Sequence, residues 1–487
     1  MPRRLSFLSS SMLVVFATLA VLSDAAVAQS DPYGRVDPLE ASVSVLRRSI
    51  GGAGSPANVN ELADFDLPGF VSILQAGVTN PSPPIRVRAA IGLAAAGEPI
   101  PLLLSRLDST DERSALIIAA FSNGLLAPSI AGTIADHDDA NDVALAILLA
   151  VADRAADAER LSRLAADPDT AWLTRGIAAA TLEQRGTSAL EGWFEAISNL
   201  TPAEHDRNVF EMLATVDRLG FDIAIERMPP LIGPRPSNDA IRAALVESLL
   251  ELAPEAGIPA WNSMLADCPE DGLITPIGML LVSAGQPAPI EAKDRFPSED
   301  RMSKAVRELI FAAPDQRAQA SIAAIELGHR PTMIWAMEKA EESGEIALLE
   351  AIFDAAARST RTGIETFAIR ASEALGTAAP SVLGRRLVDQ EDRAIIEFVF
   401  RGLIAAGTPE AAAEARPYLE ASDRTTRSLA LLTVARAGDL DDAQRRLLGR
   451  AAAGGGGLPQ DLRPLAAWLF LDASGELKNS IPRIVEP

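Results

Sequence analysis

The stretch from Gly407 to Arg450, "GTPEAAAEARPYLEASDRTTRSLALLTVARAGDLDDAQRRLLGR", repeats its own plan. A turn containing glycine opens it at Gly407, and a second such turn follows at Gly438, 31 residues later. Between them, Leu429, Leu432 and Val434 lie near one stripe, as on an amphipathic helix. Glycine adopts the left-handed conformation that closes a helix at no steric cost, so each turn predicts a helix end.

The same interval recurs along much of the chain. Gly344 to Gly376 is 32 residues, and Gly376 to Gly407 is 31. We therefore expect helices to end at Gly376, Gly407 and Gly438, and also at Gly124. Helix pairs of fixed period indicate an all-α solenoid, because one pair cannot bury its apolar face without its neighbours.

Short acidic links precede the first helix of several repeats, as in "LDSTDERS", "VDQEDRAII" and "EASDRTTRS". Aspartate is a good helix N-cap, because its carboxylate accepts hydrogen bonds from unpaired N–H groups. These links are predicted to begin the helices that follow them.

Together with the stretch "VRAAIGLAAAGEPIPLLL" (87–104) and the Asp-Arg pairs at 392–393 and 423–424, this pattern resembles the short bacterial HEAT-like repeats. These have about 30 residues per repeat. The resemblance covers roughly residues 65–220 and 300–475 and implies a right-handed α-solenoid of stacked antiparallel helix pairs. Tetratricopeptide repeats are the near alternative, but their Trp, Tyr and Pro positions do not recur here.

The predicted organisation has five parts. These are a signal peptide (1–28), an N-terminal segment (29–64), an N-terminal solenoid half (65–284), a linker (285–299) and a C-terminal half (300–487). The linker lies in "SAGQPAPIEAKDRFPSED" (283–300), which is rich in proline and has no apolar period. A second interruption, "ERMPPLIGPRPSND", covers 226–239, and "AAAGGGGLPQD" (451–461) predicts a loop inside the last repeat.

The N-terminus has the three parts of a secretory leader. Arg3 and Arg4 precede an apolar run from Met12 to Leu22, and Ala-Val-Ala ends at Ala28. The run has 11 residues, too few for the roughly 20 that span a bilayer, so we expect cleavage after Ala28. This predicts a periplasmic or extracellular protein, with the general secretory and twin-arginine routes both left open.

Charge and cysteine content narrow the range of functions that the protein can have. The formal net charge of −22 disfavours nucleic acid and anionic membrane surfaces, which need clustered Lys and Arg. Cys268 is the single cysteine, so no internal disulfide is predicted, and a buried thiol is the expected state. The longest later apolar run, Val143 to Ala152, is predicted to be a core helix rather than a membrane span.

The candidates for chemistry are weak. "ADHDDAND" places Asp136, His137, Asp138, Asp139 and Asp142 together, which is a possible cation site, but an acid-rich cap between repeats is favoured. No nucleophile or phosphate-loop motif is present, and the run of four glycines at 454–457 is predicted to be a plain loop. No catalytic, cofactor-binding or metal-ligating residue is predicted.

Two residue sets could line a binding face. The tryptophans could stack ligands, but at helical spacing among apolar neighbours they are predicted to be core residues: Trp172, Trp193, Trp261, Trp335 and Trp468. The arginines near the starts of first helices could bind an anion, but ion pairs with the Asp residues between repeats are favoured: Arg88, Arg113, Arg175, Arg242, Arg393 and Arg427.

The sequence therefore favours a non-catalytic scaffold that binds a protein or peptide of the cell envelope, since solenoids present extended surfaces. The alternative is an enzyme or cofactor-handling protein of the lyase or chaperone kind, built on the same helices. An open groove would favour the scaffold, and a pocket with converging carboxylates would favour the enzyme. The oligomeric state is left open.

Overall fold

The computed structural model describes residues 37–48, 67, 69–137, 140–221, 240–268, 271–359, 363–438 and 440–485. Over these ranges the chain is helical and contains no β-strand, as the all-α prediction requires. The helices are α1 Pro38–Leu46, α2 Phe70–Gly77, α3 Pro83–Ala95, α4 Ile100–Leu104, α5 Thr110–Ser122, α6 Pro128–Ala135, α7 Asp142–Ala152, α8 Ala158–Ala166, α9 Trp172–Gln184, α10 Leu190–Ile197, α11 Pro202–Leu219, α12 Ala240–Leu252, α13 Pro254–Ala266, α14 Asp271–Ser283, α15 Arg301–Ile310, α16 Arg317–Glu326, α17 Arg330–Ser343, α18 Ile346–Ala357, α19 Glu365–Ala378, α20 Pro380–Leu387, α21 Arg393–Ala406, α22 Pro409–Ala415, α23 Arg424–Arg436, α24 Asp442–Ala452, α25 Arg463–Ala473 and α26 Leu477–Val485.

Helices begin directly after the acidic links, as predicted, although the residue that caps the helix differs from link to link. Asp392 caps α21 by accepting from the Ala394 N–H at 2.9 Å, and Asp423 caps α23 by accepting from the Thr426 N–H at 2.8 Å. In two other links a neighbouring residue is the cap: Ser109 begins α5 and Asn141 begins α7. Both have the short polar side chain that capping requires.

Three of the four predicted turn glycines are confirmed. Gly124, Gly407 and Gly438 have φ angles of +67°, +58° and +81°. The prediction for Gly376 is wrong, because this glycine lies inside α19. A Cβ atom there would lie 2.0 Å from the carbonyl oxygen of Gly402 on α21, so Gly376 is required by close helix packing and not by a turn.

The core follows the order of the chain. Helices α3, α5, α7, α9, α11, α12 and α14 each pack against the next in this series, and the series continues through α17, α19, α21, α23 and α25. The predicted core helix at Val143–Ala152 is confirmed as part of α7, in which Ile147, Leu148 and Leu149 are buried. Among the described residues, no helix has the length and apolar character that crossing a bilayer demands.

The predicted linker packs against the helices on both sides. It contains a 3₁₀ turn at Ile290–Arg295, and Phe296 is buried close to Gly278 of α14 and Ile310 of α15. The division into halves at 285–299 stays a prediction. The leader and the interruption at 226–239 lie outside the described residues.

The glycine-rich loop predicted at 451–461 is confirmed at 453–459, whereas 451–452 belong to α24 and 460–461 to a 3₁₀ turn, Gln460–Leu462, before α25. It is anchored to the core rather than projecting from it. Leu458 is buried, and the carbonyl oxygen of Gly456 accepts a hydrogen bond of 2.7 Å from the Ser428 hydroxyl.

The two ends of the chain pack together, which the sequence analysis did not anticipate. Helix α1 packs against α24, α25 and α26, and α26 packs against α2. Glu40 forms an ion pair with Arg483, the Arg47 Nε donates to the Arg483 carbonyl at 2.7 Å, and the rings of Phe70 and Trp468 are 5.8 Å apart. We call this contact between α1–α2 and α24–α26 the terminal clasp. It closes the series of helix contacts on itself.

Candidate functional site

One cavity, which we call the groove, has a volume of 780 Å³. Residues 340–344 of α17, 369–378 of α19, 401–405 of α21 and 461–465 before and at the start of α25 line it. Its size lies in the range of about 300–1,000 Å³ that is typical of ligand pockets.

The groove wall depends on an unusually close approach of α19 and α21. A Cβ atom on Gly402 would lie 2.1 Å from the carbonyl oxygen of Ser372. Ser372, Gly376 and Gly402 therefore let the two backbones touch. Ile369 of α19 and Ile404 of α21 both line the groove, together with Leu465.

Two arginine–carboxylate pairs lie in the groove. Arg370 Nη2 is 2.9 Å from Glu341 on the preceding helix of the series. Arg401 Nη1 is 2.6 Å from Asp461, and Arg401 Nη2 is 2.8 Å from Glu397. Burial alone would lower the pKa of Arg401, but the hydrogen bonds to Asp461 and Glu397 outweigh it and raise the pKa.

Two half-buried carboxyl groups lie near the groove end at α17. Burial raises the pKa of Glu338 to about 7, with a contribution from the like charge of Glu247, while Arg370 opposes the shift. Burial also raises the pKa of Glu247 to about 7, and a hydrogen bond with Ser283 opposes it. Neither glutamate was singled out from the sequence, since the two belong to helices far apart in the chain, and only the packing of α12 and α17 against α14 brings these helices together.

A second cavity of 580 Å³ lies between the C-terminal ends of α5, α7, α9 and α11. Its arginines are already engaged within the chain. Arg185 Nε donates to Asp153 at 3.1 Å, and Arg218 Nη1 donates to the Ser122 hydroxyl at 3.0 Å. The charged groups of this cavity thus hold helix ends together, and we take the groove as the candidate site.

In the acid-rich link predicted as a cap or cation site, the structure describes Asp136, His137 and Asp142. Asp136 is engaged by Arg154, with both of its oxygens within 2.9 Å of the guanidinium. Asn141 caps α7, and Asp138 and Asp139 lie outside the described residues. Among the residues that are described, no group of His, Cys, Asp and Glu is placed to hold a metal ion.

The tryptophans are core residues, as predicted, at four of the five positions. Trp193, Trp261, Trp335 and Trp468 are buried. Trp172 is half-buried, and the Arg175 guanidinium lies 4.7 Å from its ring centroid. The buried thiol predicted at Cys268 is also confirmed.

The arginine ladder is confirmed at two positions. Arg393 Nη2 is 3.5 Å from Asp423, and its hydrogen bond to the Thr425 hydroxyl is 2.7 Å. Arg242 Nη2 is 3.5 Å from Asp267. In each case the aspartate belongs to a later link of the chain.

Three other arginines of the predicted ladder donate to a backbone carbonyl. Arg113, Arg175 and Arg427 donate to the carbonyl oxygens of Leu107, Ala165 and Ala421, at 3.0, 3.3 and 3.0 Å. Ala165 lies in the last turn of α8, where the final carbonyls have no partner within the helix, whereas Leu107 and Ala421 lie in the links that follow α4 and α22. These arginines therefore bind the backbone at the junctions between helices.

The fold and the groove thus define an all-helical, repeat-like protein with one apolar, charge-bordered cavity of ligand size. Comparison with known protein families, with characterised proteins and with solved structures finds no match.

Proposed function

We propose that this protein is an exported scaffold of the HEAT-like type that holds a segment of a partner protein in its groove. The 31-residue spacing and the packing of each helix against the next in the series support the solenoid of helix pairs. The leader predicted at 1–28 supports export, and the proposed partner is accordingly a protein of the periplasm or the cell surface.

The observation that carries this proposal is the groove itself. It is open along α17, α19 and α21, its floor is apolar, and both arginines at its border are paired with carboxylates. An extended apolar surface bordered by polar groups is typical of peptide-binding grooves, where anchor side chains enter the floor. Thr377 and Ala378 are exposed within it, so the floor is accessible to a partner.

Filling the groove should abolish partner binding. Thr377→Trp places an indole in the groove, and Thr366→Trp is a matched control. Both threonines are exposed on α19 and donate to a nearby carbonyl, but Thr366 does not line the groove. We expect envelope proteins recovered by the tagged wild-type chain to be recovered by Thr366→Trp and lost with Thr377→Trp. Equal recovery by all three chains, or no recovery by any, would contradict the proposal.

Export has a separate test. Mass spectrometry of the protein recovered from the envelope fraction should give an N-terminus at Gln29. Recovery of the intact leader on protein in the cytoplasm would contradict this part of the proposal without affecting the groove.

A second candidate function is acid–base catalysis at Glu247 and Glu338. The observation that favours it is the pair of carboxyl groups whose pKa values are raised to about 7, which is the range in which a group can donate and accept protons at neutral pH. Glycoside hydrolysis is one reaction that uses two carboxyl groups in this way. Release of reducing ends from envelope polysaccharide, lost in Glu247→Gln and in Glu338→Gln but kept in Thr377→Trp, would favour this candidate over the scaffold.

A further inference from the structure

The groove presents more negative than positive charge to an occupant. In the part of the chain that the structure describes, Glu341, Glu373 and Asp461 line it together with Arg370 and Arg401. Arg401 shares its charge with Glu397 as well as Asp461. Four carboxylates thus surround two guanidinium groups.

The exposed fractions of these side chains strengthen the excess of negative charge in the groove. The Asp461 side chain is 49% exposed, whereas the Arg401 side chain that binds it is 14% exposed. Glu341 and Arg370 are exposed to nearly the same degree, 40% and 42%. An occupant at the α25 end therefore meets the carboxylate and not the guanidinium.

The carboxylates retain capacity for a further donor. An ionised carboxylate offers about four lone-pair sites, and each ion pair in the groove uses only part of them. Glu338, next to this border on α17, also lies among the like charges of Glu247, Glu341 and Glu342. A cation brought into the groove would relieve this repulsion.

The apolar floor of the groove determines which uncharged side chains the occupant carries. The accessible floor consists of four apolar lining residues that keep part of their surface exposed: Ile369, Ala374, Ala378 and Ala405. Leu349, Ile404 and Leu465 also line the groove but are already buried. Burying the accessible apolar surface is worth about 25 cal/mol per Å². A free metal ion or a small hydrophilic cation would leave this floor uncovered. A peptide segment with apolar side chains covers it.

On the basis of the function proposed above, we infer that the groove binds a partner segment that carries a Lys or Arg flanked by apolar residues. The apolar side chains lie on the floor, and the cation is held by the carboxylates at the border. A segment with acidic side chains is disfavoured by the same charges.

The test is selection from a library of random nine-residue peptides displayed on phage. The full chain is the bait, and the library is first depleted on Thr377→Trp, in which the groove is filled. The inference predicts that the groove-dependent peptides are enriched in Lys or Arg next to Leu, Ile, Val or Phe. Acidic or uncharged groove-dependent peptides would overturn the inference and leave the scaffold proposal intact. No groove-dependent peptide at all would overturn both.

A charge variant tests the role of the carboxylates directly. Glu373→Gln should weaken binding of a selected basic peptide about threefold to tenfold, as expected for loss of one charged partner at a partly exposed site. Glu391→Gln removes the same charge at an exposed position before α21, outside the groove, and should leave binding unchanged. Equal effects of the two variants would show that net charge, and not the groove, attracts the peptide.

Discussion

At the scale of one residue, Glu338 connects protonation to stability. Its carboxyl group ionises near pH 4.5 when unfolded and near pH 7 in the fold, because it is half-buried and faces Glu247 from α12 and Glu341 and Glu342 from its own helix. Arg370 from α19 only partly offsets this. Between these pH values the folded chain binds more protons than the unfolded chain, so stability falls as the pH rises through this window.

Glu338→Gln should remove part of this loss of stability at high pH. Glutamine is neutral throughout, so the variant should match the wild type near pH 5 and exceed its unfolding free energy at pH 8 by about 1–2 kcal/mol, after allowance for solvent screening. Urea unfolding at the two pH values measures this. Glu326→Gln, at an exposed position on α16, is the control, and a Glu338→Gln curve parallel to that of the wild type would contradict the prediction.

At the scale of the helix pair, α19 and α21 depend on the absence of side chains between them. Gly402→Ala places a methyl group 2.1 Å from the Ser372 carbonyl oxygen. We expect a loss of about 1–3 kcal/mol in urea unfolding, because the helices must separate. Gly192→Ala is the matched control. It lies inside α10 with no atom within 4 Å of the added Cβ, so alanine should stabilise the protein by about 0.5–1 kcal/mol. Equal effects would contradict the packing argument.

The turns between helices make a different demand on glycine. Gly407 has φ of +58°, and an added Cβ would lie 3.1 Å from Arg436 Cγ. A β-branched residue is poorly tolerated in this conformation, so Gly407→Val should cost about 1–2 kcal/mol or more. Gly407→Asn should cost less, since asparagine tolerates left-handed turns. Urea unfolding unchanged by valine would show that the turn is not strained.

At the scale of the whole molecule, the terminal clasp covers an apolar face that the last helices of an array otherwise expose. Its ion pair between Glu40 and Arg483 is exposed on both sides, at 56% and 42%, and contributes little. The buried residues Val43 and Leu46 of α1 supply the contact. Separating α1 from the last helices therefore requires disruption of the apolar contacts that these two residues make.

Leu46→Asp should open the clasp, because it places an unpaired charge in a buried apolar contact. We expect faster amide hydrogen exchange in α1 and α26, with exchange in α5–α11 unchanged. Ser44→Asp, at an exposed position on the same helix, should have no effect. Acceleration throughout the chain would show instead that the clasp is part of the global core.

The sequence by itself determined the helical class, the starts of the helices that follow the acidic links, and three of the four glycine turns tested. These depend on neighbouring residues: Asp423 accepts from the Thr426 N–H three residues along the chain, and Gly407 directly follows the last residue of α21. Helix caps and glycine turns depend on hydrogen bonds and backbone sterics between residues close in sequence, so they can be predicted without knowledge of the fold. The core positions of Trp261 and Trp468 followed in the same way from helical periodicity.

Only the tertiary structure decided where distant residues meet. It placed Gly376 against Gly402, gave Arg113 a backbone acceptor, and brought Arg401 to Asp461, 60 residues away. The groove, the neighbouring Glu247 and Glu338 and the terminal clasp all belong to this group. Their contacts depend on how each helix packs against the next along the whole series. No single stretch of the sequence contains this information.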